Sequence, residues 1–270
     1  MNKIRLDVAL FERGLVQSRE KAKTLIKQGA VTLSGSVCDK PSALVAADAQ
    51  IALNDTGCPY VSRGGYKLEK ALRVFKIDVR GKTALDIGAS TGGFTDCLLT
   101  GGAKKVYSID AGTDQLADKL RRDSRVAVYE KTNFRYFDKS EIEDIIDIVV
   151  MDVSFISITK LCGNLKNFID EKTELVFLIK PQFESLREEI GKNGVITDGA
   201  IHKKTLKSVS ASLADLGYNL ISLDYSPIKG PKGNIEFLGR FTLSDYNGNN
   251  DEMIEKCVES AHDELIRKEN

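Results

Sequence analysis

Short blocks of consecutive apolar residues alternate with stretches of helical periodicity from residue 83 onward. Residues 83–87, 105–110, 126–129, 145–151 and 175–179 read as strands buried on both faces. Between and after them the spacing predicts helices over 93–99, 114–122, 158–169 and 201–216, then a strand over 218–225. A last strand, 235–241, has no crossover after it. This alternation implies an α/β fold, a mostly parallel, doubly wound sheet with an antiparallel last strand. Beyond Ser244 the chain turns polar, then places Met253, Ile254, Cys257, Val258, Ala261 and Leu265 at helical spacing, the pattern of a docked terminal helix.

The first third follows another pattern. Leu6, Val8, Ala9, Leu10 and Phe11 predict a short helix over 5–13 that ends at Gly14. Ser18 is placed to cap a second helix over 19–28, stopped by Gly29. On that helix Ala22, Leu25 and Ile26 form an apolar stripe, while Arg19, Lys23 and Lys27, four apart, line up on another face. Short strands follow at 30–33, at Val37 after a Ser34-Gly35 turn, and at 50–53. Gly57 and Pro59 then break the pattern, so a small α+β domain (1–58) precedes a larger one (59–270), with 55–62 as a short linker.

Charge sharpens the division. The chain carries 39 Lys+Arg against 39 Asp+Glu, yet residues 1–80 hold 14 basic against 8 acidic side chains, leaving 25 against 31 in the remainder. A basic front on an acidic body suits a polyanionic partner. With 42% apolar residues and 29% charged, the composition supports a sizeable core and a polar surface. No apolar run is long enough to span a membrane, and Met1-Asn2-Lys3-Ile4-Arg5 is no signal peptide. Cys38, Cys58, Cys97, Cys162 and Cys257 are scattered, without CxxC spacing. They imply reduced thiols in a cytoplasmic protein, with no metal site expected.

The segment Asp86-Ile87-Gly88-Ala89-Ser90-Thr91-Gly92-Gly93-Phe94 falls where the first strand of the large domain meets its first helix. Glycines there let the backbone approach a ligand and bend sharply into the helix. Such a turn suits a dinucleotide, S-adenosyl-L-methionine or tight packing alone. Asp110 ends the next strand, 22 residues after Gly88, where an acidic side chain can take ribose hydroxyls. The glycine spacing departs from G-x-G-x-x-G, which favours the methyl donor, with no pyrophosphate to cradle, over NAD. Four further residues stand near strand ends: Lys67 ahead of the first strand, Asp152 after the fourth, Lys180 closing the fifth and Glu236 in the last. Ligands gather outside the carboxyl ends of parallel strands, so Asp152 and Lys180 should share the crevice of the Gly88 loop.

Taken in order, Arg5-Leu6-Asp7, Gly14 to Ala22, Ile26 to Val31, Ser62-Arg63-Gly64-Gly65-Tyr66-Lys67-Leu68, the Asp86 loop, Met151 to Phe155, Lys180 to Glu184 and Asn234 to Phe237 resemble one family over nearly the whole chain. It is the TlyA (haemolysin A-like) rRNA methyltransferase family, with an αL-type RNA-binding domain and an FtsJ-like catalytic domain of Rossmann-like methyltransferase fold. The resemblance implies methyl transfer from S-adenosyl-L-methionine to the 2′-hydroxyl of a cytidine in rRNA, carried by Lys67, Asp152, Lys180 and Glu236. It implies cofactor contacts from Asp86, Gly88, Ala89, Ser90, Thr91, Gly92, Gly93, Phe94, Asp110, Asn133 and Asp152. It also implies RNA contacts from Arg5, Arg19, Lys21, Lys23, Lys27 and Arg63, with rRNA or a ribosomal subunit as partner and no stable protein partner.

Three other readings compete. A membrane-active haemolysin, the family's other label, would need a span or a strongly amphipathic lytic helix. A non-catalytic RNA-binding protein would have no use for four polar residues at strand ends. An NAD-dependent oxidoreductase would need a hydride-transfer residue, whereas the two histidines, His202 and His262, fall on predicted helices as surface residues.

Overall fold

The computed structural model describes residues 3–16, 18–27, 30–34, 36–46, 48–53, 58–191, 193–230 and 232–266. The chain divides into two compact units, Met1–Arg63 and Gly64–Asn270.

In the first unit β1 (Lys3–Arg5) leads into α1 (Leu6–Glu12), followed by α2 (Arg19–Lys27), β2 (Val31–Leu33), β3 (Ser36–Val37), β4 (Leu44–Ala46) and β5 (Ile51–Leu53). β1 pairs antiparallel with β4, and β2 lies between β3 and β5. The Ser18 hydroxyl caps α2 by accepting the Lys21 N–H at 3.1 Å. Leu6, Leu10, Ala22, Ile26 and Val31 are fully buried and form the core of this unit. β1 and β4 are absent from the sequence expectation, since three-residue strands have too few positions to show alternation. The expected Gly29 stop, the Gly35 turn position and residues 55–57 of the linker lie outside the described residues.

The second unit opens with α3 (Gly64–Val74) and continues through β6 (Thr83–Ile87), α4 (Gly93–Thr100), β7 (Lys105–Ile109), α5 (Asp118–Arg121) and β8 (Val126–Tyr129). Then come β9 (Ile148–Met151), α6 (Thr159–Leu165), β10 (Glu174–Ile179), α7 (Pro181–Glu184), α8 (Gly199–Asp215), β11 (Asn219–Tyr225), β12 (Phe237–Thr242) and α9 (Asn250–Leu265). The seven strands are ordered β11-β12-β10-β9-β6-β7-β8, and β12 alone runs against the others. β6, β9 and β10 sit at the middle and are buried on both faces, as their mainly apolar composition requires, with Thr83 and Asp86 of β6 the buried polar exceptions. α9 buries Ile254, Cys257, Val258 and Ala261, the terminal helix expected from spacing.

Several boundaries move for identifiable reasons. The expected helix over 114–122 forms only at Asp118–Arg121. Asp114 has a φ of 49°, outside the helical region, and the N–H groups of Asp114, Gln115 and Leu116 donate to the Glu130 carboxylate at 3.0, 2.8 and 3.0 Å. The fourth parallel strand begins at Ile148; at Asp147, just before it, the carboxylate accepts the Thr83 N–H at 2.8 Å. The helix over 158–169 closes at Leu165, and Asn167 and Phe168 continue it with tighter i→i−3 turns.

Candidate active site

The carboxyl ends of β6, β7, β9 and β10 carry the segments with chemistry to offer. Past β6 the chain turns at Gly88 with φ of 86°. A Cβ there would lie 2.5 Å from the carbonyl oxygen of Asp152, so only glycine lets this loop pass the end of β9 so closely. Gly92, at φ of 94°, starts α4 where a Cβ would strike the Leu120 side chain at 2.3 Å. Ser90 between them also occupies the left-handed region, and its N–H donates to Asp110 Oδ2 at 2.8 Å. The other oxygen of Asp110 accepts the Gly112 N–H at 2.6 Å. One carboxylate thus ties two loops together, and each of its oxygens keeps a further lone pair.

These loops enclose a cleft of about 540 Å³ whose wall includes Gly88, Ser90, Asp110, Asn133 and Asp152. Gln115, Thr132, Phe134, Ser154, Phe155 and Ile156 line it as well, none of them singled out from the sequence. They stand on irregular segments after β7, β8 and β9, where no periodicity marks a residue as facing a ligand. Asp86, Ala89, Thr91, Gly92, Gly93 and Phe94 build the turn without lining the cleft. Phe94 is buried in α4, and the Thr91 carbonyl accepts the Ala117 N–H at 3.2 Å. Asp86 is fully buried, with Oδ2 accepting from Thr95 Oγ1 at 2.6 Å and Oδ1 lacking a hydrogen-bond partner. Burial, reinforced by the negative charge of Asp152, pushes its carboxyl up to about 7, against the opposing hydrogen bonds from Thr95.

At the rim of this cleft the four expected polar residues meet. Lys67 Nζ donates to Glu236 Oε2 at 2.6 Å and lies 3.9 Å from Asp152 Oδ2. Lys180 Nζ stands 2.5 Å from Asp152 Oδ1 and donates to Ser154 Oγ at 2.9 Å. The sequence Glu236–Lys67–Asp152–Lys180 is therefore one alternating row of charges. Burial alone would raise the Asp152 carboxyl, but the charges of Lys67 and Lys180 outweigh it and hold the group below the usual carboxylate range.

Each member is placed by its own element. Lys67 rides on α3, a helix missed in the sequence although Leu68, Ala71, Leu72 and Phe75 have helical spacing. One turn on, Lys70 anchors that helix through Asp224 at 2.8 Å, the Tyr225 carbonyl at 2.7 Å and the Tyr225 ring. Glu236 precedes β12 rather than lying within it, a correction to the expected strand over 235–241. Its side chain needs Gly230, where a Cβ would lie 2.5 Å from Glu236 Oε1. Asn234, buried, braces this turn by accepting the Ile196 N–H at 2.9 Å and donating to the Gly194 carbonyl at 2.8 Å. Asp152 and Lys180 are held together by a second contact between their loops, Glu184 Oε1 accepting the Ile158 N–H at 2.9 Å.

In the first unit Arg5 and Arg19 converge on Asp7, Lys21 is exposed, and Lys23 donates to Glu20 at 2.6 Å. Arg63 is exposed at the end of that unit, and the side chain of Lys27 lies outside what is described. The histidines differ from expectation: His202 is completely buried, and its Nδ1 lies 2.9 Å from His262 Nε2, linking α8 to α9. Neither lines the cleft.

Family models match both parts of the chain. Residues 60–241 match the model of the FtsJ-like methyltransferase family and residues 4–51 that of the S4 domain. The 16S/23S rRNA (cytidine-2′-O)-methyltransferase TlyA of Mycobacterium tuberculosis is 39% identical over 86% of this chain and 87% of its own. Hemolysin A of Brachyspira hyodysenteriae is 43% identical over 89% of this chain and 100% of its own. A solved structure from Streptococcus thermophilus, given a provisional hemolysin label, superposes with a TM-score of 0.79 at 42% identity, covering 100% of this chain and 99% of that one. With a row of two lysines, an aspartate and a glutamate beside a glycine-turned cleft, this chain is a member of the FtsJ-like methyltransferase family that carries an S4 domain ahead of its catalytic unit.

Proposed function

We propose that the protein transfers a methyl group from S-adenosyl-L-methionine to the 2′-hydroxyl of a cytidine in rRNA. The observation that carries this reading is the meeting of Lys67, Asp152, Lys180 and Glu236 within ion-pair reach at the rim of the cleft. The mycobacterial relative, named for the same reaction, supports the choice of substrate.

The cleft suits the methyl donor. Gly88 leaves room that a Cβ would fill, Asp110 offers carboxylate lone pairs at the end of β7, and Phe134 and Ile156 supply apolar wall. Gly88, Ser90, Asp110 and Asn133 would hold it. When bound it supplies an electrophilic methyl carbon.

A ribose hydroxyl is a poor nucleophile; as its oxygen bonds to the methyl carbon, the donor's methyl–sulfur bond would break and the hydroxyl proton would pass to solvent water. Lys180, fixed by Asp152 and Ser154, directs its ammonium at the hydroxyl oxygen and stabilises negative charge as it develops there. Fixed donors of this kind are worth roughly a hundred- to thousandfold in rate. Asp152 remains ionised because Lys67 faces its other oxygen, and Glu236 keeps Lys67 oriented. Glu236 and Lys67 thus act through Asp152, which acts through Lys180. In the first unit Arg5, Arg19, Lys21 and Lys23 supply cations for RNA phosphates, contacts that position without reading sequence.

A membrane-lytic role has no comparable support. Among the described residues no helix is long and apolar enough to cross a membrane. Mass-spectrometric mapping of rRNA treated with the protein and S-adenosyl-L-methionine tests the proposal. The expected product is 2′-O-methylcytidine; a methyl group on a base, or none at all, refutes it.

A further inference from the structure

The loop after β7 doubles back, and one of its side chains returns to the cleft. Gln115, exposed in the cleft wall, accepts the Ser90 hydroxyl on its Oε1 at 3.3 Å. That bond turns the amide so that Nε2 faces Gly112. A Cβ on Gly112 would lie 2.3 Å from Gln115 Nε2 and 2.9 Å from Asp110 Oδ1. Amide and carboxylate thus flank one glycine, with no room for a side chain between them. The position of Gln115 is set from outside the cleft. Asp114 before it is in the left-handed region, and the N–H groups of 114–116 all reach the Glu130 carboxylate. Arg121 Nη2 adds a fourth bond at 2.9 Å. A carboxylate offers about four lone-pair sites, so Glu130 is saturated, and it does not line the cleft.

We propose that Gln115 is a second ligand for the ribose diol of the methyl donor, beside Asp110, and that Glu130 is the positioning residue that holds it there. The inference rests on the reading of the cleft as the methyl-donor site. A vicinal diol presents two hydroxyls, each able to donate and to accept. Asp110 can only accept, and each of its oxygens keeps one lone pair beyond the N–H groups of Ser90 and Gly112. Gln115 Nε2 supplies the donor that Asp110 lacks. One hydroxyl then donates to the carboxylate while the neighbouring oxygen accepts from the amide. A donor fixed before the ligand arrives loses little side-chain entropy on binding. A glutamine at position 130 keeps the size but has one acceptor oxygen and an NH2 group that cannot receive N–H donors. The turn at 114–116 would lose its anchor, and Gln115 with it.

Calorimetric titration of the full chain with S-adenosyl-L-homocysteine, and with its analogue lacking both ribose hydroxyls, tests this. Gln115→Ala and Glu130→Gln are each expected to bind S-adenosyl-L-homocysteine about 3- to 12-fold more weakly than the wild type, the worth of one hydrogen bond. The analogue has no hydroxyl for Gln115, so neither substitution should change its affinity. A merely structural role for Glu130 would weaken both ligands alike. Because both residues act through one contact, the double variant should be no weaker than the weaker single one.

Unchanged binding of S-adenosyl-L-homocysteine by Gln115→Ala, equal losses for the two ligands, or additive losses in the double variant overturn the proposal. Thermal melts establish that each variant is folded. Should Glu130→Gln unfold, Glu130→Asp, which keeps the charge but falls short of the N–H groups, takes its place. Wild-type protein that binds neither ligand refutes the methyl-donor reading and the proposal with it. Wild-type binding without a diol-dependent loss in the variants refutes the proposal alone.

Discussion

Removing the carboxylate of Glu236 should damage stability and catalysis together, and restoring a matched pair should repair only the first. Glu236 is 1% exposed and accepts a hydrogen bond from Lys67 Nζ at 2.6 Å. In Glu236→Leu the lysine is left with Asp152 at 3.9 Å as its remaining carboxylate partner among the contacts described above. Breaking a buried pair from one side typically costs about 3–5 kcal/mol, because one charge stays uncompensated. For a protein of this size that corresponds to a fall of roughly 6–20 °C in melting temperature. The double variant Lys67→Met/Glu236→Leu removes both charges and should recover most of that loss, since apolar replacement of a buried pair is often neutral. Methyl transfer should not recover, because Asp152 then lacks the charge that holds it ionised beside Lys180. Calorimetric melting and a transfer assay on the same preparations read the two effects separately. A double variant as unstable as the single one, or one with wild-type transfer, would refute the view that this pair is kept for chemistry.

Other outcomes follow from the same geometry. Gly88→Ala forces a Cβ to 2.5 Å from the Asp152 carbonyl, whereas Gly81→Ala, also at positive φ, meets nothing within 4 Å. Gly81→Ala should therefore cost only about 1 kcal/mol of backbone strain, while Gly88→Ala costs at least twice that and abolishes calorimetric binding of the methyl donor. Asp86, with its carboxyl raised to about 7, binds a proton in the folded state that it releases near 4 when unfolded. Its contribution to stability accordingly falls as pH rises from about 4 to 7, so Asp86→Asn should gain on the wild type across that window in urea titrations. Glu130 works in the opposite direction. Backbone donors at 114–116 and Arg121 overcome its burial and hold it at about 2, so the stability it confers is lost as pH falls from about 4.5 toward 2. Glu130→Gln should flatten that acid limb, and an unchanged limb would contradict it.

Much of this molecule is legible in its sequence because central strands in a parallel sheet are predominantly apolar. That property placed β6, β7, β9 and β10, and with them the loops bearing Gly88, Asp110, Asp152 and Lys180. What escaped was decided by contacts distant along the chain. Glu130 gathers the N–H groups of 114–116 onto its carboxylate in a turn where Asp114 has a positive φ, and Asp147 accepts the Thr83 N–H with its side chain. His202 has the polarity of a surface residue, but its burial is arranged by His262, sixty positions away. The wall of the cleft lies on irregular segments such as 132–134 and 153–156, where side-chain direction depends on turns rather than on period. Lys67 was found through the segment it belongs to, while the helix that aims it was overlooked, its glycine pair at 64–65 disguising a regular apolar stripe.

In the proposed reaction Lys180 acts directly on the attacking hydroxyl. Single-turnover transfer by Lys180→Ala, measured with the methyl donor and RNA both saturating, tests it most directly. The predicted result is unchanged binding of both, with transfer slowed at least about a hundredfold and partly restored in Lys180→Arg, which keeps a cation near Asp152 and Ser154. Transfer by Lys180→Ala at close to the wild-type rate would contradict the account.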